Sequence, residues 1–288
     1  MTRPVGAGAA PDGPGRPVAG AGIDGSGTPR ARCVLAPNPS PMTLDGTNTW
    51  LIGEPAGDGV VVIDPGPADE AHLRRVAGQV QAEGRRIALI LLTHGHRDHS
   101  GGARRLAELT SAAVRALDPA HRLGGEGLAS GDVVTAGGCE LRVVATPGHS
   151  ADSLSFLLPA DGALLTGDTV LGRGTAVIAH DGDLGDYLRS LDELHDLARS
   201  VPVSVLLPGH GPLLPDPVGT LGFYISHRAK RLAEVTAAIE AGDRTVGQIA
   251  ERVYRGVDPA LRRFAAWSVR AQLAYLAARG DLPPDVAF

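Results

Sequence analysis

Short apolar segments alternate with amphipathic ones between residues 48 and 207 of the chain. The apolar segments are rich in β-branched and aliphatic residues and end at glycine, proline or aspartate, which is typical of buried strands. Residues 68–82, 100–109 and 184–198 instead repeat apolar side chains at helical spacing. The predicted strands are 48–52, 60–64, 87–92, 113–116, 133–134, 140–145, 153–158, 163–166 and 203–207. Two strand-rich halves, each with helices, predict an α/β fold of the αββα sandwich type, with two layered sheets and helices outside.

The pattern changes to helix after the proline-rich stretch at residues 212–217. Apolar residues recur at helical spacing over 218–241, 245–254 and 259–279, and Thr245 can cap the second of these helices. We therefore predict a small helical domain at 218–288, after a larger α/β domain at 31–217. Residues 1–30 are rich in glycine, proline and alanine and lack a continuous apolar stretch, which predicts disorder.

Composition narrows the class of protein only slightly. The net charge of −5 over 288 residues favours neither a nucleic-acid-binding protein nor a membrane-surface protein, although it leaves room for a local basic face. Cys33 and Cys139 lie far apart, which excludes a CxxC zinc site and suits a reducing cytoplasm. No apolar run approaches the roughly 20 residues of a membrane span. We predict a cytoplasmic protein without a membrane partner, and its oligomeric state stays open.

The most informative segment is residues 93–102, Thr-His-Gly-His-Arg-Asp-His-Ser-Gly-Gly. Here His94, His96, Asp98 and His99 follow directly after the predicted strand at 87–92. Packing does not require three imidazoles and a carboxylate beyond a strand end. A divalent metal ion does, because several neutral imidazoles and carboxylates must converge on it.

Three further residues repeat this arrangement. His149, Asp168 and His210 each follow a predicted strand and stand close to a glycine, where the backbone can turn sharply and direct a side chain inward. Four strand ends that deliver histidine or aspartate to one rim predict a metal centre at the edge of an α/β sandwich.

Over about residues 33–215 the motifs resemble those of the metallo-β-lactamase superfamily in order and type. The resemblance implies a dinuclear centre with two Zn²⁺ ions. Iron or manganese are the alternatives, because the ligands offer nitrogen and oxygen without thiolate. It also implies that Asp64 orients the histidine loop instead of binding metal. The implied ligands are His94, His96 and His149 for one metal, Asp98, His99 and His210 for the second, and Asp168 as the bridge.

Within the superfamily, three branches fit this sequence poorly. The main class of secreted β-lactamases uses a cysteine ligand and lacks the histidine that stands here at His99. Nucleases of the β-CASP branch carry a large insertion between the positions that match Asp168 and His210, and the 41 residues between these positions here are too few for it. Flavo-diiron proteins replace the second histidine by glutamate and carry a flavodoxin domain, which is not evident here.

Two branches remain. Residues 41–53 and 169–175 resemble the β-lactamase-like protein 2 branch, which has a C-terminal winged-helix-like domain and whose best-described members cleave single-stranded RNA. The glyoxalase II type hydrolyses glutathione thioesters, shares the metal ligands and also ends in helices. The first resemblance is the more specific one, because two loop motifs carry it.

The chemistry implied by the resemblance is hydrolysis. Two metal ions hold a bridging water, lower its pKa toward about 7 and polarise the bond under attack, while Asp98 binds metal and accepts the proton of the water. The resulting hydroxide attacks an ester-type bond, which is either an RNA phosphodiester or a small-molecule ester or thioester. The sequence thus predicts a metal-dependent hydrolase. It does not decide between an RNA substrate and a small-molecule ester or thioester.

Several other polar residues are candidates for weaker roles. Arg173, His180 and Tyr187 are predicted to contact substrate, because they lie in or near the segment expected to overhang the metals. The basic cluster at 227–231 binds phosphates or carboxylates, or is a solvated helix face. His72, on a predicted helix, is interpreted as a surface residue.

A non-enzymatic alternative is a winged-helix DNA-binding protein, since residues 245–254 and 259–279 have compatible spacing. Nearby acidic residues offset the arginines there, and the metal ligand set is complete, so we rank this alternative last.

Overall fold

Two five-stranded sheets lie face to face at the centre of the protein in a computed structural model, which describes residues 22–256 and 261–288. The strands are β1 (Ala31–Leu35), β2 (Asn48–Ile52), β3 (Gly59–Ile63), β4 (Arg86–Leu91), β5 (Ala113–Arg115), β6 (Val133–Ala136), β7 (Cys139–Ala145), β8 (Leu154–Leu158), β9 (Ala163–Gly167) and β10 (Val205–Pro208). The first sheet has the order β1-β2-β3-β4-β5 and the second the order β10-β9-β8-β7-β6. Both sheets contain parallel and antiparallel pairs.

The helices of the described residues flank these sheets or follow them. They are α1 (Glu70–Ala82), α2 (Arg97–Ser100), α3 (Ala103–Thr110), α4 (Leu184–Ser200), α5 (Pro217–Glu240), α6 (Val246–Val253) and α7 (Arg262–Ala278). The side chains of Asp69 and Asp183 cap α1 and α4, and Thr245 forms a capping box with Gln248 at the start of α6. None of these helices is long and apolar enough to cross a membrane.

Alternation along the strands divides the core into layers. In β3, Val61 and Ile63 point into the space between the sheets, whereas Val60 and Val62 pack with α1 and α3. All five residues of β3 are buried, because helices cover the outer face of the sheet. The outer face of the second sheet is covered in the same way by α4 and α5. The predicted αββα architecture is therefore confirmed.

The strand directions bring the predicted ligand positions to one edge of the sandwich. Because β3 and β4 are parallel, Asp64 and the loop that begins with His94 leave the first sheet at the same end. In the second sheet, β7 and β9 both run antiparallel to β8, and β10 runs parallel to β9. Strands β7, β9 and β10 therefore share a direction, and they end shortly before His149, Asp168 and His210, respectively.

Helix α5 connects the sandwich to the C-terminal helices. Its first half places Tyr224 in the core beneath the second sheet, whereas its second half places Ile239 in a separate core with α6 and α7. The two regions thus share the helix that begins at the predicted boundary. Within the described part of this region, the β contact is a single bridge between Thr245 and Ala287. A helical C-terminal region is present, and its winged-helix identity stays a prediction.

Residues 22–30 belong to the segment predicted to be disordered, yet they contact the sandwich through ion pairs. Arg30 pairs with Glu54 (Nε–Oε1, 2.5 Å) and with Asp161 (Nη1–Oδ1, 2.8 Å). The Asp161 side chain is only 1% exposed, so a distant, buried carboxylate supplies partners that local composition does not reveal. Residues 1–21 of the predicted disordered segment lie outside the described residues, as do residues 257–260.

His72 of α1, interpreted from the sequence as a surface residue, is buried. Its Nε2 lies 3.0 Å from the hydroxyl oxygen of Thr49 in β2. Burial, together with the positive charge of Arg75, lowers the pKa of the imidazole to about 4. The signal that could have placed it correctly is its spacing, because His72 stands four residues before the buried Val76 and so shares its helix face.

We predict that His72 makes the protein less stable in mild acid. Because its folded-state pKa lies below the usual 6.5, the unfolded chain binds more protons between about pH 6.5 and 4. The free energy of unfolding therefore falls as the pH falls through that window, by at most about 1.4 kcal/mol per pH unit from this group. The loss should be smaller in His72→Gln. Urea denaturation at neutral and mildly acidic pH, with EDTA present, measures it, and equal losses in variant and wild type would contradict the prediction.

Candidate metal centre

The seven predicted ligands lie together at the edge where both sheets release their loops. In each of three groups, one potential ligand atom per residue lies within 4.8 Å of the others. The groups are His94, His96 and His149; Asp98, His99 and His210; and His94, His99 and Asp168. The first two groups are the sets predicted for the two metal ions, and Asp168 lies within reach of both. We call these seven residues the metal cluster; their individual roles as ligands stay predictions.

Ring nitrogens within the metal cluster face one another. His96 Nδ1 lies 3.0 Å from Nε2 of both His94 and His149, and His99 Nε2 lies 3.2 Å from His210 Nε2. The Oδ1 atom of Asp168 is buried and finds no hydrogen-bond partner among the described residues, although His99 Nε2 lies 3.4 Å away. Converging imidazole nitrogens and an unpaired carboxylate oxygen are the donors that a divalent cation requires. The residues therefore fit the metal centre that the sequence implies.

Each imidazole of the metal cluster is held through its other ring nitrogen. The contacts are His94 Nδ1 to Thr93 Oγ1 (2.9 Å), His96 Nε2 to Asp181 Oδ2 (2.6 Å), His99 Nδ1 to Asp64 Oδ2 (2.8 Å), His149 Nδ1 to the Val177 carbonyl (2.9 Å) and His210 Nδ1 to the Gly46 carbonyl (3.1 Å). A carbonyl or carboxylate partner fixes a proton on that nitrogen, so in a neutral ring the other nitrogen keeps its lone pair for the cluster.

Asp64 stands at the end of β3 with a φ of 54°, in the left-handed region. Its Oδ1 accepts the backbone N–H of Thr93 (2.8 Å), and its Oδ2 accepts the Thr93 hydroxyl (2.7 Å) and His99 Nδ1 (2.8 Å). These hydrogen bonds offset the cost of the unusual backbone conformation. The contacts are those expected of a residue that orients the histidine loop and does not itself bind metal.

Two carboxylates set the charge of the metal cluster. Burial by itself raises a carboxyl pKa, but His210 and His99 outweigh burial at both sites. They hold the pKa of Asp168 well below its usual range and lower that of Asp98 to about 2. Both groups are therefore ionised at neutral pH and require a positive partner.

The imidazoles divide into two kinds. Burial lowers the pKa of His94 and of His149, so both stay neutral and can offer a lone pair. Burial also opposes charge on His99 and His210, but Asp168 overcomes it, and the pKa of His210 rises to about 9. Protons on these two rings supply the positive charge that a cation supplies when it binds.

Apart from Asp64, sequence reasoning missed the groups that orient the rings. Asp181, which holds His96, is a carboxylate in the segment expected to overhang the metals, so its position was a usable signal. The carbonyls of Val177 and Gly46 carry no signal in residue type, because any residue could supply them.

The three predicted substrate contacts have different positions. Arg173 lines a cavity beside His149 and Asp168, and its contact with substrate stays a prediction. His180 lines a different cavity, with Trp267, so its position does not support contact with a substrate at the metals. Tyr187 requires a correction.

Tyr187 is fully buried and cannot reach a substrate. Its hydroxyl donates to the Thr169 carbonyl (2.7 Å), next to Asp168. Its backbone packs so closely on Gly148, beside His149, that a Cβ there would lie 2.3 Å from Tyr187 Cα. Tyr187 therefore packs beneath the loop that carries Asp168 and the loop that carries His149, on the side of the protein interior. Helical periodicity places it on the buried face of α4, which was the available signal.

The cavity beside the metal cluster has a volume of about 340 Å³ and extends from His149 and Asp168 to α5 and α7. We call it the central cavity. Its basic side chains are Arg173, His227, Arg228 and Arg231, and its apolar and aromatic wall includes Met42, Leu44, Leu171, Tyr254 and Phe264. Three of the four basic residues come from the cluster at 227–231, and of these Arg228 is buried, so the alternative of a solvated helix face is wrong for Arg228. The central cavity can hold a negatively charged group close to the metal cluster.

The sequence profile of the metallo-β-lactamase superfamily matches residues 42–210, a range that contains all seven residues of the metal cluster. The chain belongs to the metallo-β-lactamase superfamily. Together with the His/Asp cluster, this membership is consistent with a metal-dependent hydrolase.

Individual relatives differ in how much of the chain they share. The β-lactamase-like protein 2 homolog of Drosophila melanogaster is 34% identical over 275 residues, which cover 86% of this chain and 88% of that protein. The lactamase-like protein adaB of Aspergillus niger is 36% identical over 211 residues, which cover 72% of this chain but only 63% of that protein.

A solved structure extends the likeness in fold to the C-terminal helices. The metallo-β-lactamase family protein TTHA1429 from Thermus thermophilus superposes with a TM-score of 0.72 at 23% identity, over 88% of this chain and 94% of that one.

Gly209 lies where a side chain would enter the metal cluster, since a Cβ there would stand 2.6 Å from Asp168 Oδ1 and 2.8 Å from His99 Cε1. We predict that Gly209→Ala displaces Asp168 and lowers the affinity for zinc about 10- to 100-fold, the usual cost of disturbing the groups around a ligand. Competition with a chromophoric chelator measures this affinity. Gly78→Ala in α1, where a Cβ meets nothing within 4 Å, is the control and should bind zinc like the wild type. Wild-type affinity in Gly209→Ala would refute the prediction.

Proposed function

We propose that the protein uses a dinuclear centre, with zinc as the first candidate metal, to hydrolyse an ester-type bond in an anionic substrate. Single-stranded RNA is the first substrate candidate. The observation that carries this proposal is the central cavity, because it joins His149 and Asp168 to a wall that contains three arginines. A substrate with negative charge gains from such a wall at the same place where its reactive bond meets the metal cluster.

The metal cluster would hold the two ions in the groups described above. When bound, two divalent cations supply an activated water and polarise the carbonyl or phosphoryl group under attack. Asp98 is the more accessible cluster carboxylate, with its side chain 31% exposed against 10% for Asp168. Its Oδ2 faces His210 at 3.2 Å, so we assign Oδ1 to accept the proton of the attacking water. Asp168 is shielded from bulk water, and the residue after it, Thr169, is held by the hydroxyl of Tyr187.

Two features favour RNA as the first candidate. The side chains of His96 and Asp98 are about one-third exposed, so the metal cluster can be reached by a chain too long to enter the central cavity whole. Tyr254 and Phe264 in the cavity wall offer faces on which a base can stack. A third argument is the likeness to the β-lactamase-like protein 2 homolog, which covers 86% of this chain.

The apolar part of the same wall favours a second candidate. Met42, Leu44 and Leu171 form a surface suited to the acyl group of a thioester, while the arginines would bind the carboxylates of the thiol. A glyoxalase II-like thioester hydrolase therefore stays as the alternative.

Turnover of zinc-loaded protein tests both candidates side by side, with a fluorescent single-stranded RNA in one assay and S-lactoylglutathione in the other. We predict that RNA is cleaved and that Asp168→Ala lowers the rate at least about 100-fold, because its carboxylate is lost from both metal sites. Asp192→Ala, an exposed position on α4, is the control and should act like the wild type.

Metal analysis of each variant identifies the ions and their number. Thioester turnover alone would replace the first candidate by the second. Cleavage that survives in Asp168→Ala or in excess EDTA would contradict a mechanism that depends on the metal cluster.

A further inference from the structure

Arg228 is a buried cation whose charge finds no carboxylate partner among the residues that the structure describes. It is 9% exposed, and its guanidinium donates through Nη2 to the Ala176 carbonyl. The guanidinium carbon lies 4.7 Å from the centre of the Tyr187 ring. Its Nε is buried and finds no hydrogen-bond partner within the described part of the chain. A buried charge left in this state is costly, so the site is built for a partner that is not a side chain of the described residues.

The other arginines of the central cavity differ in this respect. Arg173 pairs with Asp45 (Nη2–Oδ2, 2.8 Å), and Arg231 pairs with Glu234 (Nη1–Oε2, 2.8 Å). Each of these two charges is therefore neutralised by a neighbouring carboxylate. Arg228 has no carboxylate partner in residues 22–256 and 261–288, and it is more deeply buried than the other two arginines of the central cavity.

The chemistry of this site selects its ligand. A guanidinium matches the planar spread of oxygen atoms in a carboxylate or phosphate, and it binds them through charge-assisted hydrogen bonds. One uncompensated cation matches a single negative charge. Resting on the proposed hydrolase function, we propose that Arg228 binds a singly charged oxyanion of the substrate, a phosphodiester or a carboxylate, in the central cavity beside the metal cluster.

This contact lies on a part of the substrate that does not react. It therefore forms equally in the bound substrate and in the transition state, and it contributes to affinity more than to the rate of the chemical step. Arg228 thus sets the preference for negatively charged substrates, whereas the metal cluster carries out the reaction.

Titration calorimetry of the zinc-loaded, full-length protein tests the proposal without any turnover. Dimethyl phosphate is the probe for a phosphodiester and acetate the probe for a carboxylate. We expect Arg228→Gln to weaken binding of one or both probes about 10- to 100-fold, as the loss of a charge-assisted hydrogen bond does. Lys230→Gln removes the same charge from an exposed position two residues away on α5 and should bind like the wild type.

The outcomes separate this proposal from the proposed function. Equal binding in wild type and Arg228→Gln would mean that the metal cluster alone holds the anion, and it would overturn the proposal while leaving the hydrolase intact. No saturable binding of either probe to the wild type would also overturn it. Should Arg228→Gln fail to fold by circular dichroism, Arg228→Lys replaces it, because it keeps the charge and loses the planar fork. That variant should bind the probes more weakly than the wild type, and unchanged binding would count against the proposal.

Discussion

The carboxylate of Asp64 and the residue that it holds, Thr93, join the two sheets at the metal cluster. Asp64 directly follows β3 of the first sheet and accepts both the backbone N–H and the hydroxyl of Thr93. The carbonyl of Thr93 in turn accepts the backbone N–H of Leu154, the first residue of β8 in the second sheet (2.7 Å). The same hydroxyl lies 2.9 Å from His94 Nδ1, and Asp64 also holds His99. Because these groups are buried, releasing one of them leaves a polar atom unpaired and frees two rings at once.

The C-terminal helices complete the site through the loop at residues 171–177. The Tyr224 hydroxyl of α5 accepts the backbone N–H of Leu171 (2.9 Å) and donates to the Gly174 carbonyl (2.9 Å). Arg228, one turn later, donates to the carbonyl of Ala176. The carbonyl of the next residue, Val177, orients His149. Helix α5 therefore shapes the central cavity and supports a ring of the metal cluster, which explains why it belongs to two cores at once.

The sequence predicted the sandwich and the grouping of the metal cluster because both depend on local signals. Apolar periodicity marks strands and helices, and histidine or aspartate after a strand marks an edge of the sheet. Tyr187, His72 and Arg228 were harder, because their burial depends on elements that are distant in the chain. Asp161 shows the same limit, since its partner Arg30 lies in a segment whose composition resembles a disordered tail. Residue type indicates what a side chain can do, whereas topology decides whether it meets a partner.

Reaction and selectivity are carried by different parts of this chain. The metal cluster stands on the loops of the sandwich, where strand directions fix it, and its chemistry suits any ester-type bond. The central cavity adds a wall from α5 and α7, whose lining side chains lie outside the metal cluster and include both arginines and aromatic residues. Substitutions in this wall can alter substrate preference without replacing a residue of the metal cluster, except that Arg228 also supports the loop that holds His149. Arg228, which has no carboxylate partner among the described residues, lies at the junction of these two parts, and under the proposed function this position lets it discriminate between substrates by their charge.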